Sequence, residues 1–297
     1  MRRREFLGFA AALAACARPD EGASMPRRPL GRTGRDVALF GLGGQAAIER
    51  ADRDAALRII DRALALGVDY FDTAPKYGPS QDYLGEALDG RRDQVFLASK
   101  THDRTRGGAW RHLEESLRWL RTGRLDLWQL HELQTLEELD VIFGPDGAFE
   151  AMVEAREQKL VGALGITGHF DPGVLEEALR RARFDCLLVA LNAADRVRHP
   201  VQRTLLPLAV EQGVGVIAMK VPGKGGLIRG ALTMGEALGY VWSLPVATAI
   251  VGCDSVEQLE ANVALARSFR ALDESERAKL ESRAALVFEQ AIFFRRR

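Results

Sequence analysis

Eight short apolar runs alternate with amphipathic stretches along this chain, and few architectures can absorb so regular a series. The runs are "VALFGLG", "VDYFDT", "VFLASK", "LDLWQLH", "LVGALGIT", "CLLVALN", "VGVIAMK" and "ATAIVGC". Between them, "DRDAALRIIDRALALG" sets Ala56, Ile59, Ile60, Ala63 and Leu64 on one helical face, and "PGVLEEALRRAR" is entered through Asp171 as a cap. Eight strands alternating with helices predict an α/β fold, the (β/α)8 TIM barrel. Near-continuous apolar strands suit a sheet buried on both faces. The tail "DESERAKLESRAALVFEQ" predicts an additional C-terminal helix across the barrel mouth or in the outer ring.

One competing pattern lies in the first run. Gly41-Leu42-Gly43-Gly44-Gln45-Ala46 fits the glycine spacing of a dinucleotide-binding turn. There the third position lies inside a helix whose N-terminus meets the pyrophosphate, whereas here the helical pattern starts only near Asp52. The glycines are therefore expected to shape a loop at the barrel top, with Gly44 a candidate cofactor contact.

Residues 1–24 stand apart from the barrel, which is assigned to 25–297. A basic start followed by an apolar stretch ending in small residues has the form of an export signal. Arg3-Arg4-Glu5-Phe6-Leu7 resembles a twin-arginine signal, and Leu13-Ala14-Ala15-Cys16 resembles a lipobox in which Cys16 would be lipidated. The expectation is export by the twin-arginine machinery to the periplasm, with membrane attachment only through a lipid on Cys16. Translation from Met25 would instead leave the protein in the cytoplasm. With 41 basic and 41 acidic residues, no electrostatic footprint for nucleic acid is present. Three cysteines, one of them in the leader, provide neither a disulfide framework nor a cluster-binding spacing.

In a barrel of this kind reactive groups gather at the carboxyl ends of the strands. Asp72 ends the second run, Tyr77 follows it in "FDTAPKYG", Lys100 closes the third and His131 closes the fourth. Singly, each has a bland reading: a helix cap, an aromatic plug, a solvated lysine, a core histidine. Facing one mouth together, they form a proton-donating set. A phenol of pKa about 10 is a poor acid at neutral pH, and a lysine cation beside it is expected to pull that value down. Asp72 would hold Lys100 charged, and His131 would hydrogen-bond a carbonyl oxygen beside Tyr77. Such a set protonates an oxyanion as hydride adds to a ketone or aldehyde, with no metal required.

With these residues the chain resembles the aldo-keto reductases from about Pro29 to Asn262, through "LGRTGRDVALFGLGG", "FDTAPKYG", "PSQDYLGEAL", "LASK" and "DLWQLH". The resemblance implies that Asp72, Tyr77, Lys100 and His131 are the catalytic tetrad. It also implies a nicotinamide cofactor, NADP(H) ahead of NAD(H), extended across the barrel mouth, and a small carbonyl or alcohol substrate. Several expected cofactor contacts differ. Thr167-Gly168, followed by His169, replaces a Ser-Asn pair that holds the carboxamide. Leu188 and Leu191 replace a Gln and a stacking Tyr, while Asn192 is retained. Lys220-Val221-Pro222 replaces Ser-Pro-Leu, so Lys220 and the glycine amides from Gly223 onward become candidates for the pyrophosphate. In "GCDSVEQLEAN", Gly252, Gln258 and Asn262 match the adenosine-binding segment. Cys253 stands for a serine, and Asp254 would repel a 2′-phosphate.

The leading expectation is an exported carbonyl reductase. Because reduced nicotinamide is not expected free outside the cytoplasm, it would need a retained cofactor or a partner that reduces it. Two alternatives stay open: a nicotinamide-binding redox sensor, and a lyase or aldolase forming a Schiff base on Lys100 or Lys220. Substrate choice would rest on the loop after His131, "ELQTLEELDVIFGPDG", and on the C-terminal tail.

Overall fold

The computed structural model describes residues 24–197 and 201–292. Residues 1–23 of the leader, with the paired arginines and Cys16, lie outside the described residues. The described chain opens with an antiparallel hairpin, β1 (Arg27–Pro29) and β2 (Asp36–Ala38). The eight barrel strands follow: β3 (Phe40–Gly43), β4 (Tyr70–Asp72), β5 (Phe96–Thr101), β6 (Leu125–Leu130), β7 (Val161–Gly168), β8 (Cys186–Ala190), β9 (Gly215–Met219) and β10 (Thr248–Val251). They pair in parallel in chain order, and β10 closes the barrel onto β3. All eight expected runs supply a barrel strand.

Period-two alternation divides each strand between two apolar clusters. Tyr70, Phe96, Leu127, Leu188 and Ile217 pack inside the barrel. Phe71, Leu97, Trp128, Val189 and Val216 pack outward against the helices. Burial on both faces explains why the runs are almost unbroken in apolar residues.

The hairpin is a feature that the sequence reading passed over. "VALFGLG" is not one strand, because the chain bends at Leu39, whose amide donates to Pro26 O at 2.8 Å while Ala249 N donates to its carbonyl. Residues before the bend form the barrel floor. Leu30 and Val37 join the interior cluster, and Asp69 Oδ1 accepts from Ala38 N at 2.8 Å. Gly31, at φ 52°, lies so close to the backbone of Gly215 that a Cβ would collide.

Helices α1 (Arg53–Ala65), α2 (Ser80–Ala87) and α3 (Arg106–Trp119) follow the first three barrel strands. The segment after β6 carries α4 (Leu136–Phe143) and α5 (Ala148–Glu157), then α6 (Pro172–Arg181), α7 (Leu205–Glu211), α8 (Met234–Trp242) and α9 (Val256–Arg267) complete the ring. Asp171 caps α6 as expected, accepting from Gly173 N, and Asp52 caps α1, accepting from Ala55 N. The glycines of residues 41–44 lead into a single π-helical turn, Gly44–Ile48, and α1 starts only at Arg53. The stretch after His131 is not wholly loop: Thr135 accepts from Glu138 N and starts α4.

The tail forms two helices, α10 (Glu274–Ala285), opened by a reciprocal Asp273–Glu276 cap, and the short α11 (Phe288–Ala291). α11 lies against the segment after β9, where a Cβ on Gly223 would stand 2.6 Å from Ala291 O. Among the described residues no helix is long and apolar enough to cross a membrane.

Candidate active site

The carboxyl ends of β4, β5 and β6 bring four polar side chains together. Asp72 is the last residue of β4, and Lys100 lies on the neighbouring β5. Their side chains are almost wholly buried and form a short ion pair through Lys100 Nζ and Asp72 Oδ1. Lys100 Nζ also donates to Thr73 O at 2.9 Å, and Gln129 Nε2 donates to Asp72 Oδ2 at 3.2 Å. The chain leaves β4 through a turn in which Tyr77 N donates to Ala74 O, and Gly78 takes φ 46°. This turn returns the phenol over the pair, with Lys100 Nζ 4.6 Å from the ring centroid. His131 follows β6 directly, its Nε2 lying 3.3 Å from Tyr77 Oη.

The electrostatics of the set differ from the sequence expectation in one respect. Burial pushes the Tyr77 phenol up; the Lys100 cation acts downward but does not overcome it, and Asp72 adds to the upward side. Tyr77 therefore keeps its proton at neutral pH. Burial alone would lower Lys100, but the Asp72 and Tyr77 contacts outweigh it, so its value is raised and the ammonium stays charged. Burial, and then the Lys100 charge, hold His131 well below the usual imidazole range. A neutral His131 can hydrogen-bond a carbonyl oxygen shared with the phenol without competing as an acid.

From Asp72 and Tyr77 a cavity of about 700 Å³ extends along the mouth, past Gln45, Lys220 and Lys224, to Gly252, Asp254, Gln258 and Asn262. That volume lies within the range of small-molecule and cofactor sites. Lys220 has left-handed backbone, φ 58°, and its Nζ donates to Gln45 Oε1 at 2.7 Å. Burial, followed by the charges of Lys224 and Lys100, lowers its pKa to about 8. It makes no ion pair among the described residues. A partly buried ammonium facing a cavity with one neutral acceptor suits an anionic ligand group.

The remaining candidates occupy other positions. The Thr167 hydroxyl is wholly buried and accepts from Glu132 N at 2.8 Å. A Cβ on Gly168 would press on Leu175, and His169 Nδ1 stands 3.6 Å from Glu132 Oε1. Asn192 Nδ2 donates to Lys220 O and to Ala291 O at 3.3 Å each, while its Oδ1 accepts from Ala194 N. Its side chain thus ties the β8 and β9 ends to the tail. Gly223 gives close approach to α11, and Gly44 has room for no side chain beside Ser80 and the Asp72 carbonyl. Cys253 is buried, its Sγ 3.5 Å from Asn262 Nδ2, and burial pushes the thiol up to about 11. Among the described residues no cluster of His, Cys, Asp and Glu could hold a metal ion.

Sequence reasoning missed Gln45, Arg50, Lys224 and Met219 in the cavity wall. Met219 and Gln45 were findable by position, one ending β9 and the other just past β3. Arg50 and Lys224 carry no local pattern that distinguishes them from surface cations.

The Aldo/keto reductase family model matches residues 39–240. The chain is 27% identical over 304 residues to the uncharacterized oxidoreductase YqkF of Bacillus subtilis, covering 86% of this chain and 95% of that protein. It is 31% identical to the uncharacterized oxidoreductase YrpG of the same organism, over 68% of this chain and 67% of that one. The solved aldo-keto reductase AKR11C1 from Bacillus halodurans, in its holo form, superposes with a TM-score of 0.75 at 27% identity, covering 87% of this chain and 96% of that chain.

The ion pair can be tested apart from any chemistry. Asp72→Asn leaves Lys100 buried without a counter-charge, and Lys100→Met leaves Asp72 so; each is expected to lower unfolding free energy by about 3–5 kcal/mol. In urea titrations the double variant should recover much of either loss, whereas strictly additive losses would show that the two charges do not depend on each other.

Proposed function

The chain belongs to the aldo/keto reductase family, and we propose that it reduces an aldehyde or ketone with a nicotinamide cofactor, using Tyr77 as the proton donor. The observation that carries this reading is the buried, protonated Tyr77 phenol, placed over the Lys100 cation and beside His131 Nε2, at one end of the cavity. The nicotinamide, when bound, supplies the hydride. Lys220, Gly252, Gln258 and Asn262 are the residues proposed to hold it, Lys220 through a phosphate. The family resemblance favours NADP(H), and the Asp254 carboxylate in the same wall acts against its 2′-phosphate.

In this proposal the substrate carbonyl oxygen sits between Tyr77 Oη and His131 Nε2. As charge develops on that oxygen, the phenol proton moves to it, and the Lys100 cation stabilises the phenolate left behind. Asp72 keeps Lys100 charged and aimed. His131, being neutral, orients the oxygen without trapping its proton.

Of the two lysines considered for a Schiff base, Lys100 is held charged by Asp72, which removes the free amine that such chemistry needs. Lys220, lowered to about 8, is the better amine. Borohydride trapping of an aldehyde on Lys220 would favour that second reading, and no adduct would dismiss it. The redox-sensor alternative gains nothing from a complete proton-donating set.

For residues 1–24 we propose export by the twin-arginine route, resting on Arg3-Arg4-Glu5-Phe6-Leu7. A folded reporter fused behind this segment should reach the periplasm, and paired Arg3→Lys and Arg4→Lys changes should stop it. Transport unaffected by the pair would remove the assignment.

Tyr77→Phe keeps the ring and removes the proton donor. Carbonyl reduction should fall by about 100-fold or more while nucleotide affinity changes little. Reduction needs the protonated phenol, so it should hold steady through neutral pH and decline only as pH rises above about 10. Alcohol oxidation needs the phenolate and should rise with pH over the same range. Turnover by Tyr77→Phe equal to wild type would contradict the assigned role.

A further inference from the structure

Gln129 is a polar residue at the proton-donating centre that nothing above explains. It lies on β6, wholly buried, with Lys100 as its register partner on β5 and Gly165 on β7. The residue two positions earlier, Leu127, belongs to the barrel interior, so Gln129 also points inward. Gly165 makes room for it: a Cβ there would stand 3.0 Å from Gln129 Cγ.

The amide is only half used. Its Nε2 donates to Asp72 Oδ2 at 3.2 Å, while Oε1 is buried without a hydrogen-bond partner among the described residues. The opposite amide orientation would set oxygen against carboxylate oxygen, so the donor must face Asp72. An orphan buried carbonyl is a cost that a leucine of similar size would not carry. Any gain must then lie on the donor side. There Asp72 has two oxygens to satisfy: Lys100 takes Oδ1, and Gln129 takes Oδ2.

We propose that Gln129 is a positioning residue for proton transfer: by holding Asp72 Oδ2 it fixes the carboxylate's rotation, so that Oδ1 keeps Lys100 under the Tyr77 ring. Without that hold the carboxylate can turn about its Cβ–Cγ bond, and the ammonium follows it away from the phenol. Gln129 does not itself line the cavity and reaches it only through Asp72. This rests on the carbonyl-reductase reading.

The test compares wild type, Gln129→Leu and Gln129→Glu in reduction of 4-nitrobenzaldehyde at saturating NADPH, with NADPH affinity and melting temperature measured on the same samples. Gln129→Leu should lose about tenfold or more in kcat, with aldehyde KM and NADPH affinity within about twofold of wild type and a melting temperature still well above the assay temperature. In Gln129→Glu two carboxyl groups face each other and share a proton, which can stand in for the amide N–H. That variant should work nearly as well as wild type at about pH 6 and decline towards about pH 9 as the proton is lost, while Gln129→Leu stays low throughout. Unchanged kcat in Gln129→Leu, or a loss matched by equally weakened NADPH binding, would overturn the proposal, as would identical pH profiles for the two variants. Failure of the wild-type chain to bind nucleotide or turn over would instead remove the underlying functional reading, and this is seen before any variant is compared.

Discussion

Two opposite charges sit almost out of reach of water at the mouth of this barrel, and the geometry around them follows from that fact. Neither Asp72 nor Lys100 could remain ionised there alone, since burial of an isolated charge costs more than any fold of this size can spare. Adjacent strands are required to bring them within contact, which β4 and β5 provide. Further groups are required for the unused valences, and Thr73 O and the Gln129 amide supply them. The cation then offers a surface on which an aromatic ring can rest. Tyr77 occupies it, brought back by a turn that needs Gly78 in left-handed backbone. Burial of the phenol outweighs the pull of the cation, so the phenol keeps its proton at neutral pH. In the proposed reaction this makes Tyr77 a donor in waiting, rather than the standing phenolate that a lysine neighbour alone would suggest.

The strands were legible because burial on both faces writes them as unbroken apolar runs, and the four polar residues that meet at the barrel mouth were legible because each closes or follows such a run. What stayed hidden depends on contacts distant in sequence. The floor hairpin is concealed inside one apolar run, since nothing local marks the bend at Leu39; its cause is pairing with Pro26 and Ala249. Thr167 stands where the resemblance implies a carboxamide contact, and its hydroxyl accepts from Glu132 N, a bond set by how the chain leaves β6. The amide of Asn192 spans to Ala291, 99 positions away. The capping sequence beginning at Thr135 was readable as a helix start, yet it was absorbed into a presumed loop.

The tail and the cavity wall are parts of one structure. Asn192 ties Lys220 O to Ala291 O, and the glycines at 223 and 226 let the backbone of α11 lie directly on the segment after β9. Lys220, whose left-handed backbone this arrangement holds, carries the cation that crosses to Gln45 over the mouth. The position of a charge facing the cavity is thus set partly by residues beyond the eighth barrel unit.

Isotope transfer tests the central claim most directly. Incubating the chain from Met25 onward with NADPH carrying deuterium at C4, in each stereochemical form, and with 4-nitrobenzaldehyde should place deuterium on the carbinol carbon of the alcohol from one of the two forms. Alcohol formed without deuterium from either label, or no alcohol at all from a chain that binds NADPH, would contradict hydride delivery to a carbonyl beside Tyr77.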